Sequence, residues 1–415
     1  MTSLATSSSN TGLRTSTLAA LRYPNFRLYF VGQLISLSGS WMQIIAQGWL
    51  VFQLTREELW LGIVACAAGL PSLLLSPFAG VLVDRIPRRR LLIFSQTAQM
   101  TLAFILAALT FSGTVQVYHI VALAFLLGIT NAVDAPSRQT IIVDLVGHDD
   151  LSSGIALNSI MFNVSRIIGP AAAGVLLAQV GAAWCFFFNG ISFLAVIFML
   201  SIIHPQAAPP PTGSLSPIRR LKEGLRFSRY HPTIAPLLLL AFVSGLFTVN
   251  LSTLFPAFAD EVLKSPTEGY AAISTAMGFG AVAAGVMMTR LGKYFGRGQV
   301  IAAMVVFVML VGLLVSRMNT VSSAVALMVL YGFGIILQFV TTNTLIQSEV
   351  PDEFRGRVMS LYTLTFFGLS PFGALCLGAV ANVIGTPDAM MLYAAGGGLL
   401  SLLVVARFPR MRALL

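Results

Sequence analysis

Gly80 to Arg90 reads GVLVDRIPRRR, an aspartate and four arginines packed into eleven residues at the end of a long apolar run. Charge that dense between hydrocarbon-like stretches belongs at a membrane surface, in a short turn joining two spans. The stretch is echoed at an offset of 205 residues by Gly285 to Phe295, GVMMTRLGKYF, which repeats Gly80/Gly285, Val81/Val286, Arg85/Arg290 and Arg88/Lys293. An internal echo of this kind points to a duplicated membrane protein.

The rest of the chain agrees. Hydrophobic residues make up 56% and charged residues 10%, and the mean hydropathy is +0.85. A soluble domain carries about a quarter charged residues, so that class is excluded. The apolar runs are continuous rather than alternating, which argues for helices and against a β-barrel. Twelve spans are expected at 25–54, 60–83, 91–112, 117–138, 153–180, 184–203, 234–259, 269–290, 298–316, 321–347, 357–384 and 388–408. The fold class is therefore an all-α polytopic membrane protein of two pseudo-symmetric six-helix bundles.

Charge placement gives the orientation. Of 25 basic residues, 21 fall on the side expected to hold both termini, while Arg56, Lys264 and Arg317 fall on the other and Arg166 lies within a span. Both termini should be cytoplasmic. The formal net charge of +10 is thus a matter of topology, and no nucleic-acid surface is expected. The organisation reads as a mobile cytoplasmic tail at 1–24, bundles at 25–203 and 233–415, and a linker at 204–232. The linker opens with the Pro-rich PQAAPPPTGSLSP. It closes with Ile218 to Tyr230, an amphipathic helix suited to an anionic inner leaflet. The repeat extends at an offset of 204 through Gly128/Gly332, Thr140/Thr344, Val146/Val350, Leu157/Leu361, Gly169/Gly373 and Gly174/Gly378.

Polar residues inside the spans are candidates for function. Gln33, Ser36, Ser40, Gln43 and Gln47 recur at spacings of three and four on one helical face, and are expected to line a path between the bundles or to bond neighbouring helices. Ser244, Thr248 and Ser252 form a similar face in span seven. Asp134, Arg138 and Arg166 are the charges well inside the membrane, and depth makes an Asp134–Arg166 pair reasonable. Arg166, flanked by Asn163, is either a substrate or anion contact or half of a structural ion pair. Gln338 and Thr342, with Tyr362 and Phe366, give a polar and aromatic surface in the second half. Gly169, Pro170 and Gly174 are a candidate hinge. Three cysteines at unrelated spacings, scattered histidines and no phosphate loop point to no disulfide, metal site or cofactor and to no enzyme.

Gly80, Leu82, Asp84, Arg85, Arg88 and Arg89 resemble the major facilitator superfamily signature between spans two and three, G-x-L-x-D-R-x-G-R-[RK], with Pro87 where glycine is usual. Gly169, Pro170 and Gly174 resemble its span-five exporter signature in part. Asn131 to Val146 and Val350 to Gly373 resemble the bacterial branch of enterobactin exporters and macrolide-efflux proteins. The polar and aromatic surface of the second half suits amphiphilic ligands, so the expected protein is a plasma-membrane exporter of small amphiphilic molecules, a monomer coupled to protons. The resemblance implies alternating access around a central site between the halves. It also implies a cytoplasmic gate in which Asp84 meets the start of span eleven near Arg357 and Arg88 reaches Asp134 or Asp144. Asp134 is the candidate proton carrier, against a permanent structural pair. A lipid flippase of the same fold and a non-transporting sensor or scaffold remain as alternatives.

Overall fold

The computed structural model describes residues 18–203, 217–291 and 296–409. Most of the tail, the Pro-rich part of the linker and Lys293 lie outside the described residues, as do the side chains of Gly80, Asp84, Arg85 and Arg290. Every regular element among the described residues is helical. They are α1 (Pro24–Thr55), α2 (Glu58–Arg85), α3 (Arg88–Phe111), α4 (Val117–Val146), α5 (Leu151–Gln179), α6 (Ala182–Ile202) and α7 (Pro217–Tyr230). After these come α8 (Ile234–Val262), α9 (Glu268–Leu291), α10 (Arg297–Val315), α11 (Val321–Glu349), α12 (Asp352–Ile384) and α13 (Thr386–Arg407).

Eleven of the helices are long and apolar enough to cross a membrane. The exceptions are the short basic α7 and α1. At 32 residues α1 rises about 48 Å, ample for a bilayer. Its glutamines and serines lower its apolar average.

Packing repeats across the two sets of six. In the first, α1 lies on α5 and α6, α3 on α4 and α6, and α2 on α4; in the second, α8 lies on α12 and α13, α10 on α11 and α13, and α9 on α11. Two seams, α2 with α12 and α5 with α9, join the sets. Glycines of the sequence repeat occupy equivalent contacts. A Cβ at Gly128 would overlap the Ala68 carbonyl of α2, and one at Gly332 the Met277 carbonyl of α9. Gly169 lies against α1 and Gly373 against α8. At the seams, a Cβ on Gly174 would stand 2.5 Å from Ala271, and one on Gly378 2.7 Å from the Glu58 carbonyl. Small residues let backbones touch, which is the source of helix cohesion where burial from water supplies none.

α8 departs from regular geometry. A wide turn at Ser244–Thr248 and a tight one at Val249–Leu254 interrupt it. Buried Asn250 sends Nδ2 to the carbonyls of Gly245 (2.8 Å) and Leu246 (3.0 Å), while Oδ1 accepts from Ser370 of α12 at 2.9 Å. The amide satisfies carbonyls that the broken pattern frees.

Candidate functional site: a translocation path between the two helix sets

Helix ends bearing Arg88–Arg90, Arg355 and Arg357 mark a basic end of the bundle, and Arg56 after α1 with Asp260 near the end of α8 marks the opposite end. The named close contacts of both seams lie toward the opposite end. One seam runs from Glu58 and Gly378 to Leu73 and Gly368, the other from Gly174 and Ala271 to Arg166 and Gly278. Beyond them toward the basic end, Leu74, Phe78, Ile155 and Val286 are exposed.

Polar contacts reinforce the closed end. Arg56, held in the left-handed region at φ 56°, pairs with Asp260 at 2.5 Å. Thr386 at the start of α13 is fully buried, its Oγ1 2.9 Å from Glu58 Oε1 of α2 and 3.0 Å from Glu261 Oε2 of α8. A hydroxyl carries one proton, so it serves one carboxylate at a time. Neither Glu58 nor Thr386 was a sequence candidate. They lie 328 residues apart at helix ends, where a lone carboxylate reads as a capping residue.

The charged cluster of the first half differs from expectation. Asp134 pairs with Arg138, whose Nε is 2.8 Å from Oδ2, and not with Arg166. That contact is a charge pairing rather than a well-directed hydrogen bond, since Oδ2 has no bond of good angle. Asp134 Oδ1 accepts from Ser95 (2.7 Å) and Gln96 (2.8 Å), and the other end of the Gln96 amide accepts from Ser36 (3.2 Å). One turn of helix brings Arg138 over the carboxylate, so the i,i+4 neighbour wins over the residue on the next helix. Arg88 pairs with Asp144, the second of its two expected partners. Arg89 donates to the carbonyls of Leu200 and Ser201 and so caps the negative end of α6. Arg357 pairs with Glu223 of α7 at 3.2 Å. The expected meeting of Asp84 with α12 lies outside the described side chains.

The polar face of α1 is divided. Gln33, Ser36 and Gln43 are buried within the first set, Gln43 accepting from Asn189 of α6 at 2.7 Å. Gln33 is fully buried and its amide has no hydrogen-bond partner among the described residues. Ser40 and Gln47 keep partial exposure. A shared face is what the spacing dictates, but α3 meets Ser36 and α6 meets Gln43 in place of an open path. In α8 the expected face of Ser244, Thr248 and Ser252 is broken by the wide turn. Ser244 accepts from Gln338 at 3.2 Å, whereas Ser252 is exposed and bonds only its own helix.

In the second half, the sequence candidates converge. Ser244, Thr248, Gln338, Thr342, Tyr362 and Phe366 line one small cavity between α8, α11 and α12, with a free interior of about 10 Å³, room for roughly one water. Phe339, which was not a sequence candidate, also lines the cavity, its ring tilted against Phe366 at 4.7 Å. In the first half, Arg166 is half-buried with its guanidinium 5.5 Å from the Trp41 ring, and Asn163 bonds the Ser159 carbonyl at 2.8 Å. Four residues on, Pro170 has no N–H to offer the Arg166 carbonyl, which instead faces Gly278 across the seam. Cys185 is buried, whereas Cys376 is exposed.

Residues 15–414 match the family model described as transmembrane secretion effector. The chain belongs to this family of the major facilitator superfamily. It is 25% identical over 364 residues to the staphyloferrin A transporter of Staphylococcus aureus, covering 86% of this chain and 90% of that one. The multidrug efflux pump Tap of Mycolicibacterium fortuitum is 27% identical over 390 residues, 91% of this chain and 94% of the relative. The enterobactin exporter EntS of Shigella boydii is 25% identical over 415 residues, 94% of each. Among solved structures, the nucleoside transporter NupG shares the fold with a TM-score of 0.76 at 13% identity, over 93% of this chain and 99% of that one. The chain is therefore a multi-pass transporter of the bacterial inner membrane, as the resemblance of the loop signature implied.

Proposed function

We propose that this transporter exports small amphiphilic molecules by alternating access, driven by the proton gradient. In this reading α1–α6 and α8–α13 are two six-helix bundles, residues 25–203 and 233–415, joined by 204–232 and working as a monomer. All twelve long helices span the bilayer, with both termini in the cytoplasm. The positive-inside bias supports that orientation. One observation carries the proposal: among the described residues, the glycine contacts and polar contacts named between the sets lie toward the end away from the basic helix ends. That is the arrangement of a carrier open to the cytoplasm, ready to load cargo for export. Ser40, Gln47 and Arg166 from one bundle, with Gln338, Thr342, Tyr362 and Phe366 from the other, make up the cargo site. Gly169, Pro170 and Gly174 let α5 rock. Asp134 is the candidate proton carrier because it is a carboxylate fully buried deep in a span, with partners on two helices that can exchange between states.

Inside-out vesicles test both parts. A pH gradient should drive cargo accumulation by the wild type, and Asp134→Asn should stop that accumulation while leaving downhill exchange intact. Gradient-driven uptake by Asp134→Asn excludes it as the proton carrier. Accumulation that ignores the gradient overturns proton coupling altogether.

A further inference from the structure

We infer that the cargo site selects anionic amphiphiles, and that Arg166 with Trp41 forms the subsite for their oxyanion. The inference rests on the export reading above and deepens it. Arg166 lies fifteen residues into α5, a rise of about 22 Å from the basic end, so it stands near the middle of the bilayer. The other cation inside a span of this half, Arg138, is matched by Asp134. Among the described residues no carboxylate lies within ion-pair distance of Arg166, and its guanidinium makes no hydrogen bond to the protein. Its contact is the face of Trp41, which holds the planar group while leaving its N–H fork free.

The surroundings shape an entry. Ser159, Asn163 and Arg166 recur at spacings of four and three on one face of α5, and exposure falls from Ser159 inward to the half-buried Asn163 and Arg166. The Asn163 amide N–H is held by the Ser159 carbonyl. Phe162 meets Trp41 edge to face at 5.7 Å and gives an aromatic wall beside the cation. The small cavity of the opposite bundle, with Gln338, Thr342 and Tyr362, brings no charge of its own. Among the described residues assigned to the cargo site, Arg166 is thus one positive centre set among aromatic and neutral polar groups. That pattern recognises a carboxylate or similar oxyanion, bidentate on the guanidinium, with a flat apolar body against the rings. A neutral or cationic amphiphile of the same shape leaves the guanidinium unpaired in a poorly hydrated place.

The test uses the full chain in nanodiscs of zwitterionic phosphatidylcholine, so that the lipid adds no net charge. Binding is measured for matched pairs that differ only in charge: 2-naphthoate against 2-naphthamide, and indole-3-acetate against indole-3-acetamide. The wild type should bind the anion of at least one pair about tenfold or more tightly than the amide. Arg166→Gln should erase the difference chiefly by weakening the anion, Arg166→Lys should keep part of it, and Trp41→Leu should weaken both members. Equal binding of both members of every pair by the wild type overturns the inference, as does an anion preference that survives in Arg166→Gln. If Arg166→Gln does not fold, Arg166→Lys decides by whether its preference falls. Vesicle transport separates this from the export reading. Anion-selective binding without accumulation of any cargo refutes export alone, whereas equal export of neutral cargo by wild type and Arg166→Gln, with no anion preference, refutes the subsite alone.

Discussion

Replacing Thr386 by valine removes one hydroxyl from the closed end and little else. Valine keeps the shape but puts a methyl group against the Glu58 carboxylate, in a residue that is 7% exposed. Among the described residues two polar contacts cross between the sets there, Thr386–Glu58 and Arg56–Asp260; the Glu261 contact stays within the second. A hydrogen bond to a charged group contributes about 1.5 to 3 kcal/mol when its loss leaves a buried partner unsatisfied. The Arg56 pair is exposed on its arginine side and contributes at most about 1 kcal/mol. The hydroxyl therefore contributes more to closure than the ion pair does, and because its contact exists only while this end is closed, losing it acts on the conformational equilibrium. Taking about 1.5 kcal/mol, the population should move roughly tenfold toward opening at that end. Spin labels at Ser112 and Asn319, both exposed in loops of the opposite end on different sets, would read the change in a background with Cys66, Cys185 and Cys376 replaced. Thr386→Val should add a long-distance population that is minor in the parent. A distance distribution superimposable on the parent, in protein that elutes as a single folded species, would refute the reasoning.

Gly332→Val forces a side chain into the Met277 carbonyl, and should cost about 1 to 3 kcal/mol or more and lower the recovery of monodisperse protein. Gly285→Ala, with open space around it, should not, and thermal unfolding followed by size-exclusion chromatography compares the two. Phe227 of α7 stacks on Phe354 of α12 at 4.6 Å beside the Glu223–Arg357 pair. Phe227→Ala should lose about 0.5 to 1.5 kcal/mol of aromatic contact beyond its buried area and expose α7 to trypsin at Arg226 and Arg229, read as faster limited proteolysis.

Much of the architecture was legible because membrane folding is governed by a few strong constraints. Apolar runs mark spans, dense charge marks turns, and the repeat pairs Gly128/Gly332, Gly169/Gly373 and Gly174/Gly378 hold matching contacts. The pairing of candidates was less legible. Spacing put Gln33, Ser36 and Gln43 on one face but could not say that α3 and α6 would meet it. The Ser244–Thr248–Ser252 face assumed 3.6 residues per turn, and one wide turn stabilised by Asn250 moved Ser252 out of register. Asp134 took the neighbour one turn away, a local preference that depth matching overlooks. The closure through Glu58 and Thr386 is a meeting of distant helix ends, for which local sequence carries no signal.

The two seams are built from Gly62, Gly69 and Gly378 on one side and Gly174 and Gly278 on the other, where backbone meets backbone or a short side chain. Surfaces so smooth have few long side chains that must change rotamer when they part, so opening proceeds with little frictional penalty. The same smoothness makes the seam vulnerable. A thin rigid molecule slipped between α2 and α12 at Gly62 and Gly378 would meet backbone on both sides with no way for it to yield, and would jam the carrier from a place remote from its cargo. Inhibition of that kind would not compete with substrate, and resistance to it would require replacing a glycine that the closed state cannot spare.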